Sequence, residues 1–412
     1  METIKNSIGL KLTVLWIGIL FAMVILPTPF KSIAIGIFAI LTIVLAIQRK
    51  AYFNLPFFLW NAALFCLLVF TFLYTENTEY GIRKLSTMAS LIVFPALFSF
   101  IRKEDDHGIF KYHNQYLWVY VVSVFAFNVV AFLWFYITNY SFAGMIEHFA
   151  TVVRVDMGKW RIHPIYLSMH CAVALLFSMY LLKATRSKRL IMLLLSIDMV
   201  LILFLLLYAK KGPLLALLVV FTLFVAFQRK QGLVKPYLVA MVVVVGLTVA
   251  IPKTRNKFVE LLKIENLDKG SLTSTNIRYT IYACAKELIA DAAFLGYGIG
   301  DYNDVLQKSY KEKDKPILVA GEYNAHNQFF SLMLMGGVLA VVFFGLMLAV
   351  NFVFAIRYDN QLLILLLIFY SLVMLTENIL EREQGVIYFS LFLSYFGLRN
   401  RYLEAHADST NS

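Results

Sequence analysis

The chain has 412 residues, 60% of them hydrophobic, with 36 Phe and a mean hydropathy of +0.74, which excludes a soluble globular protein. Its net charge of +12 suggests nucleic acid, yet the longest polar segment, 253–327, is nearly neutral with eleven Lys/Arg and ten Asp/Glu. The excess sits in short connections between apolar runs, the positive-inside pattern of a membrane protein and not that of a nucleic-acid groove. Cys66, Cys171 and Cys284 are few and scattered, so neither a disulfide framework nor a zinc site is indicated.

Twelve apolar runs are predicted as membrane-spanning helices, at about 12–26, 31–47, 56–74, 85–100, 116–138, 164–182, 189–208, 212–227, 236–252, 328–354, 361–376 and 385–398. The first run ends at Pro27-Thr28-Pro29 without a small-residue cleavage site, so it reads as a span and not as a cleavable leader. Counting Lys and Arg places the N-terminus inside: Arg49-Lys50, Arg102-Lys103, Lys183 to Arg189, Arg229-Lys230, Arg357 and Arg399/Arg401 then all fall on cytoplasmic connections. The expected organisation is spans 1–9 over 1–252, a large outward loop over 253–327, spans 10–12 over 328–398, and a cytoplasmic tail over 399–412.

Basic residues also occur on the outer side, against the topology signal. In Lys159-Trp160-Arg161-Ile162-His163-Pro164, Arg161 is suited to bidentate phosphate binding, and Pro164 suits the first turn of the next span. His163 is either a cap for that helix or a second titrating group; the cap is favoured. Farther along, Asp198 interrupts the seventh span, and pairing with a neighbouring helix accounts for it. Lys210 and Lys211 fill a tight outer turn, Lys210-Lys211-Gly212-Pro213, where they either meet an anionic ligand or snorkel to lipid phosphates.

Within the outer loop, Ser271 to Asn276 is a helix start with Thr275 or Asn276 as cap, followed by an amphipathic helix that carries Arg278 in its first turn. Gly296, Gly298 and Gly300 end that helix. No strand precedes them and no Lys-Ser/Thr follows, so they read as a hinge and not as a nucleotide loop. His326-Asn327 stands where the chain re-enters an apolar run; a partly desolvated His can accept a hydroxyl proton, or it can simply bond the interface. Glu377, at the outer end of the eleventh run, is either a partner for an outer cation or a solvated carboxylate.

Four stretches together resemble the O-antigen ligase and polymerase superfamily of polytopic membrane glycosyltransferases: Arg161 to Pro164; Tyr208 to Leu217; Asn276-Ile277-Arg278 through Gly300; and His326-Asn327 through Gly336-Gly337. Two positions depart from the family pattern. Ala340 stands where a second Gly is usual, and the basic turn is Lys210-Lys211-Gly212 in place of Ser-Arg-Gly. The resemblance implies an all-α integral membrane protein of the GT-C kind in the bacterial inner membrane, with its active site facing the periplasm. It implies transfer of a glycan from undecaprenyl diphosphate to a lipid A core hydroxyl, as a ligase, or to a growing glycan, as a polymerase, without metal or cofactor. By the same resemblance His326, Arg278 and Arg161 are catalytic, Arg154 being a substitute for Arg161, while Lys210, Lys211, His163, Asn327 and Glu377 bind substrate. A polysaccharide transporter is the rival reading; it predicts charges near the bilayer midplane and pseudo-repeated halves.

Overall fold

The computed structural model describes residues 2–138, 144–227, 231–262, 272–292 and 294–411. Arg229, Lys230 and Ser271 lie outside the described residues. Every regular element among those described is a helix. In chain order they are α1 (Glu2–Ala22), α2 (Thr28–Gln48), α3 (Leu55–Phe70), α4 (Thr78–Met88), α5 (Ser90–Ser99), α6 (Asp106–Phe110) and α7 (His113–Ile137). Then follow α8 (Met145–Val155), α9 (Pro164–Ala184), α10 (Lys188–Tyr208), α11 (Lys211–Phe227), α12 (Gln231–Ala250) and α13 (Pro252–Val259). The remainder are α14 (Ser274–Ala292), α15 (Tyr302–Glu312), α16 (Pro316–Ala320), α17 (Gln328–Arg357), α18 (Gln361–Met374) and α19 (Glu383–Asn411).

Seven of these are long and apolar enough to cross a membrane: α1, α2, α3 with its short extension, α7, α9, α10 and α17. The pair α4–α5, bent by 41° at Ala89, makes an eighth if it is one broken span, and α11 and α18 are shorter apolar helices. The expected span at 85–100 therefore begins earlier, at Thr78, and is broken. Large apolar side chains such as Ile40, Ile47 and Met199 lie two-thirds or more exposed, which only a lipid surround makes favourable. The window of α9 is 89% buried, against 28% for α2 and α17, so α9 forms the middle of the bundle. It packs on α7, α10 and α11, while α17 packs on α3 and α18.

Local chemistry sets the helix starts. Asn54 accepts the Phe57 N–H and Pro56 sits in the first turn of α3; Asn77 accepts the Tyr80 N–H at the start of α4. The carboxylate of Asp198 in α10 accepts a 2.7 Å bond from Ser178 in α9, the interhelical pairing its position calls for. The outer-loop helix begins at Ser274, and the Thr273 hydroxyl accepts the Asn276 N–H at 3.1 Å. Thr273 is thus the cap in place of Thr275 or Asn276, and Arg278 moves beyond the first turn, where the helix dipole opposes it least.

The glycine-rich stretch Gly296–Gly300 docks into a break in α17. Gly336 (φ −137°, ψ 18°) and Gly337 (φ +62°, ψ −153°) leave the helical region and free the carbonyls of the preceding turn. The Leu334 carbonyl accepts the Tyr297 N–H at 2.7 Å and the Met335 carbonyl accepts the Gly298 N–H at 3.0 Å. The approach is backbone on backbone: a Cβ on Gly296 would lie 2.6 Å from the Gly337 nitrogen, and one on Gly337 would collide with the Phe294 carbonyl. Thr71 accepts the Ile299 N–H, and the Asp301 carboxylate accepts the N–H groups of Glu76 and Asn77, each at 2.8 Å. The outer loop is therefore clamped between the end of α3 and the kink of α17.

Candidate active site

His326 sits between α16 and α17 with φ +45°, a left-handed conformation that costs a β-carbon residue about 1 kcal/mol. Its N–H is held by the Asn324 side chain at 3.2 Å, and its carbonyl lies 2.9 Å from the Tyr282 hydroxyl of α14. Tyr282 also reaches the Leu375 carbonyl at 3.0 Å, so one phenol ties together the outer loop, the start of α17 and the end of α18. Strain held by surrounding bonds in this way is typical of functional positions.

Glu377 lies between the two strongest candidates. Its Oε1 accepts a 2.6 Å bond from Arg278 Nη2, and its Oε2 is 3.5 Å from His326 Nδ1. The second distance is long for a hydrogen bond, and Nδ1 has no hydrogen-bond partner, so the carboxylate faces a ring nitrogen that nothing else engages. Burial pushes the Glu377 carboxyl up, but His326 and then Arg278 outweigh it and hold it down at about 2. The carboxylate is thus fixed as an anion beside the imidazole.

Further cations surround this pair. Burial lowers the Lys210 ammonium to about 8 against the pull of Glu377, and the neighbouring charges of Arg278, Arg154 and Lys257 add to the depression. Burial, then Lys210 and Arg154, push the His163 imidazole down to about 4. His163 caps α9, its Nδ1 accepting the Ile165 N–H at 3.4 Å, as the favoured reading of this residue anticipated. Arg154 reaches the group from α8; Arg161 is exposed at the end of a short turn. Lys211 is engaged elsewhere, at 2.8 Å from Glu260 and 2.5 Å from the Thr275 hydroxyl. Asn327 caps α17, accepting the Phe329 and Phe330 N–H groups and donating to the Leu375 carbonyl at 3.1 Å, so its amide is spent on the fold.

Three residues of this region carry no sequence signal strong enough to single them out. Arg382 lies close enough to His163 to depress it. Glu381 is 2% exposed and accepts bonds from Lys84 (3.1 Å), the Tyr302 hydroxyl (2.6 Å) and Asn378 (2.7 Å), which anchors the segment that carries Glu377. Tyr282 is the third. The spacing Glu377–Glu381, one helical turn apart in a stretch of four acidic and basic residues, is the one clue available. Among the described residues no three His, Cys, Asp or Glu side chains are grouped as metal ligands. A separate cavity lies at the far end of α17, about 40 Å along its axis at 1.5 Å per residue.

Fold and site together define an all-helical membrane protein with a His–Glu–Arg cluster among further cations. Residues 196–345, from α10 into α17, match the family model described as O-antigen ligase, which supports the O-antigen ligase superfamily and a ligase- or polymerase-type function for this region. The match takes in Lys210, Arg278, the docked glycines and His326, and leaves Arg154, Arg161, His163 and Glu377 outside it, so of the four stretches that carry the resemblance it omits Arg161 to Pro164. The chain matches none of the curated proteins.

Proposed function

We propose that this protein is a lipid-carrier-dependent glycosyltransferase, most closely an O-antigen ligase, that moves a glycan from undecaprenyl diphosphate to a hydroxyl of the lipid A core. The observation that carries this reading is the placement of Glu377 between Arg278 and His326. With Nδ1 turned to the carboxylate, His326 Nε2 is the nitrogen left to take a proton, and a fixed anion stabilises the imidazolium that results. The acceptor hydroxyl gives its proton to His326, its oxygen bonds to the anomeric carbon, and the bond from that carbon to the diphosphate oxygen breaks, with inversion. Arg278, Lys210 and Arg154, the last in the position expected of Arg161, neutralise the charge that grows on the leaving diphosphate. No metal or cofactor enters this scheme, and a nucleic acid has no part in it.

In this reading the twelve predicted crossings, of which seven helices are long and apolar enough as they stand and the bent pair makes an eighth, are of the GT-C kind in the inner membrane, with both termini inside and 253–327 in the periplasm. In this arrangement every residue of the cluster lies at the periplasmic end, and the membrane lipids bring the donor to it. The polymerase reading, in which the growing glycan is the acceptor, is favoured by Ala340 and by the Lys-Lys turn, the two departures from the ligase pattern.

The test is a deletion strain complemented with the wild-type gene or with His326→Ala, its lipopolysaccharide resolved on a gel. Loss of all long glycan from the core, with lipid-linked polymer accumulating, is the ligase outcome, and His326→Ala is expected not to rescue. Core bearing a single repeat unit makes the protein a polymerase. An unchanged profile removes O-antigen from the proposal.

A further inference from the structure

A cavity of about 650 Å³ lies at the end of the bundle opposite His326. One wall is apolar and aromatic, formed by Phe53, Phe57 and Trp60 at the start of α3 and by Phe354 near the end of α17. Trp60 and Phe354 are 46% and 42% exposed, so this wall continues onto the outside of the bundle, where the lipid lies. The charged lining is mostly cationic, with Lys50, Arg102 and Lys103 besides the carboxylates of Glu104 and Glu404. Two other arginines of the lining are already neutralised, Arg49 by Asp105 at 2.9 Å and Arg401 by Asp106 at 2.6 Å. No ion pair among the described residues engages Lys50 or Lys103, and the Glu104 that Arg102 meets at 3.0 Å is 69% exposed. At the back, Asn351 donates to Asn61 at 2.8 Å, a polar pair facing the space.

We propose that this cavity binds an anionic phospholipid, the phosphate at Lys50, Arg102 and Lys103 and the upper acyl chains along Phe57, Trp60 and Phe354. A phosphate group is the chemistry these cations would recognise; the wall decides its source. A volume within the roughly 300–1,000 Å³ range of organic-ligand sites is far more than a bare phosphate fills. An aromatic surface running outward from the charges matches an amphiphile whose tails stay in the membrane. Trp at such a depth suits the headgroup boundary. Basic residues at this end are also what topology alone would place there, so the proposal is specific to the three that line the cavity. It is independent of the transfer reaction.

The experiment uses the full-length protein in detergent, with bound palmitoyl-oleoyl phosphatidylglycerol or phosphatidylcholine counted by native mass spectrometry. The wild type is expected to retain phosphatidylglycerol about tenfold better, and Lys50→Gln/Arg102→Gln/Lys103→Gln to lose most of that preference. Arg186→Gln/Lys188→Gln/Arg189→Gln removes three exposed charges from another connection at the same end and is expected to keep it. Excess inorganic phosphate is expected to leave the lipid in place. As a readout that needs no charge variant, brominated phosphatidylglycerol is expected to quench wild-type fluorescence more than Trp60→Phe fluorescence. The proposal falls if the two lipids bind alike, if both triple variants lose the preference equally, if inorganic phosphate displaces the lipid, or if Trp60→Phe leaves the quenching unchanged.

Discussion

Arg278 and Glu377 are 99 residues apart in the chain and joined by a 2.6 Å bond, which brings a helix of the outer loop against the exit of α18. The same carboxylate faces His326 from its other oxygen, so the ion pair that holds the loop down also sets the electrostatics of the imidazole.

Glu377→Gln keeps the shape and removes the charge. Transfer of lipid-linked glycan in membranes is expected to fall by about 100-fold, the scale seen when a preorganised electrostatic contact is lost, with little change in donor affinity. The pH sign follows from the depressed carboxyl. Its folded value of about 2 lies below the ordinary 4.5, so its contribution is complete above about pH 4.5 and is lost as pH falls through about 2. Glu377 ionisation therefore cannot shape the rate profile between pH 5 and 8. Wild-type rates of transfer by Glu377→Gln at pH 7 would contradict this assignment.

Lys210 predicts a titration of its own. The ammonium form is the one that binds a diphosphate, and burial lowers it to about 8 in the unliganded protein. Stabilisation of the purified protein by inorganic diphosphate, read as a shift in Tm, is expected to shrink as pH rises through about 8. Without the ligand the depressed value has the opposite effect: stability present above about pH 10.5 is lost as pH falls through about 8. In Lys210→Met both trends should flatten; a wild-type diphosphate shift that is the same at pH 7 and pH 9.5 would show that Lys210 does not meet the anion.

The kink of α17 is tested at two glycines. Gly337 is in the left-handed region and its added Cβ would strike the Phe294 carbonyl, whereas Gly345, farther along the same helix, has nothing within 4 Å. Gly337→Ala is expected to destabilise the protein by about 3 kcal/mol, from backbone strain and overpacking together, and to expose the outer loop to protease. Gly345→Ala is expected to be neutral or stabilising by up to about 1 kcal/mol, because Ala suits a helix interior better than Gly. Equal Tm values for the two variants would mean that the docked loop does not depend on the Gly337 contact.

His326 and Glu377 could be found in the sequence because a polar group at the edge of an apolar run is costly to place and so stands out, and Arg278 because it is a cation near the start of a helix. Their mutual contact could not, since nothing in periodicity or hydropathy pairs residues 99 positions apart. The glycines do join two helices as read, but they are docked and not a free hinge: the docking into α17 depends on backbone carbonyls that only a break at Gly336–Gly337 frees, and a sequence of side chains does not display those. Glu381 escaped notice because its partners Lys84 and Tyr302 come from distant segments. The bend at Ala89 has no Gly or Pro to announce it; Pro95 lies six residues later, inside α5. Hydropathy averages over such detail, which is why the order of the helices was legible and their breaks were not.

The adjacent lysines of the outer turn separate binding from architecture. Lys211 is nearly buried, with 10% of its side chain exposed, and holds Glu260, which also pairs with Lys257 at 2.8 Å and lies near the Ser274 hydroxyl at 3.4 Å. Removing its charge leaves a half-buried carboxylate with one cation fewer and the Thr275 hydroxyl without a donor. Lys211→Met is therefore expected to cost about 2 kcal/mol and to loosen the chain around 253–262 and the start of α14, seen as faster proteolysis there, while diphosphate affinity stays within about twofold. Lys210→Met, whose ammonium faces Glu377, Arg278 and Arg154, is expected to do the reverse and weaken diphosphate binding about tenfold with little change in proteolysis. If the two variants behave alike in both assays, the turn acts as a single charge and the division of labour between its lysines is wrong.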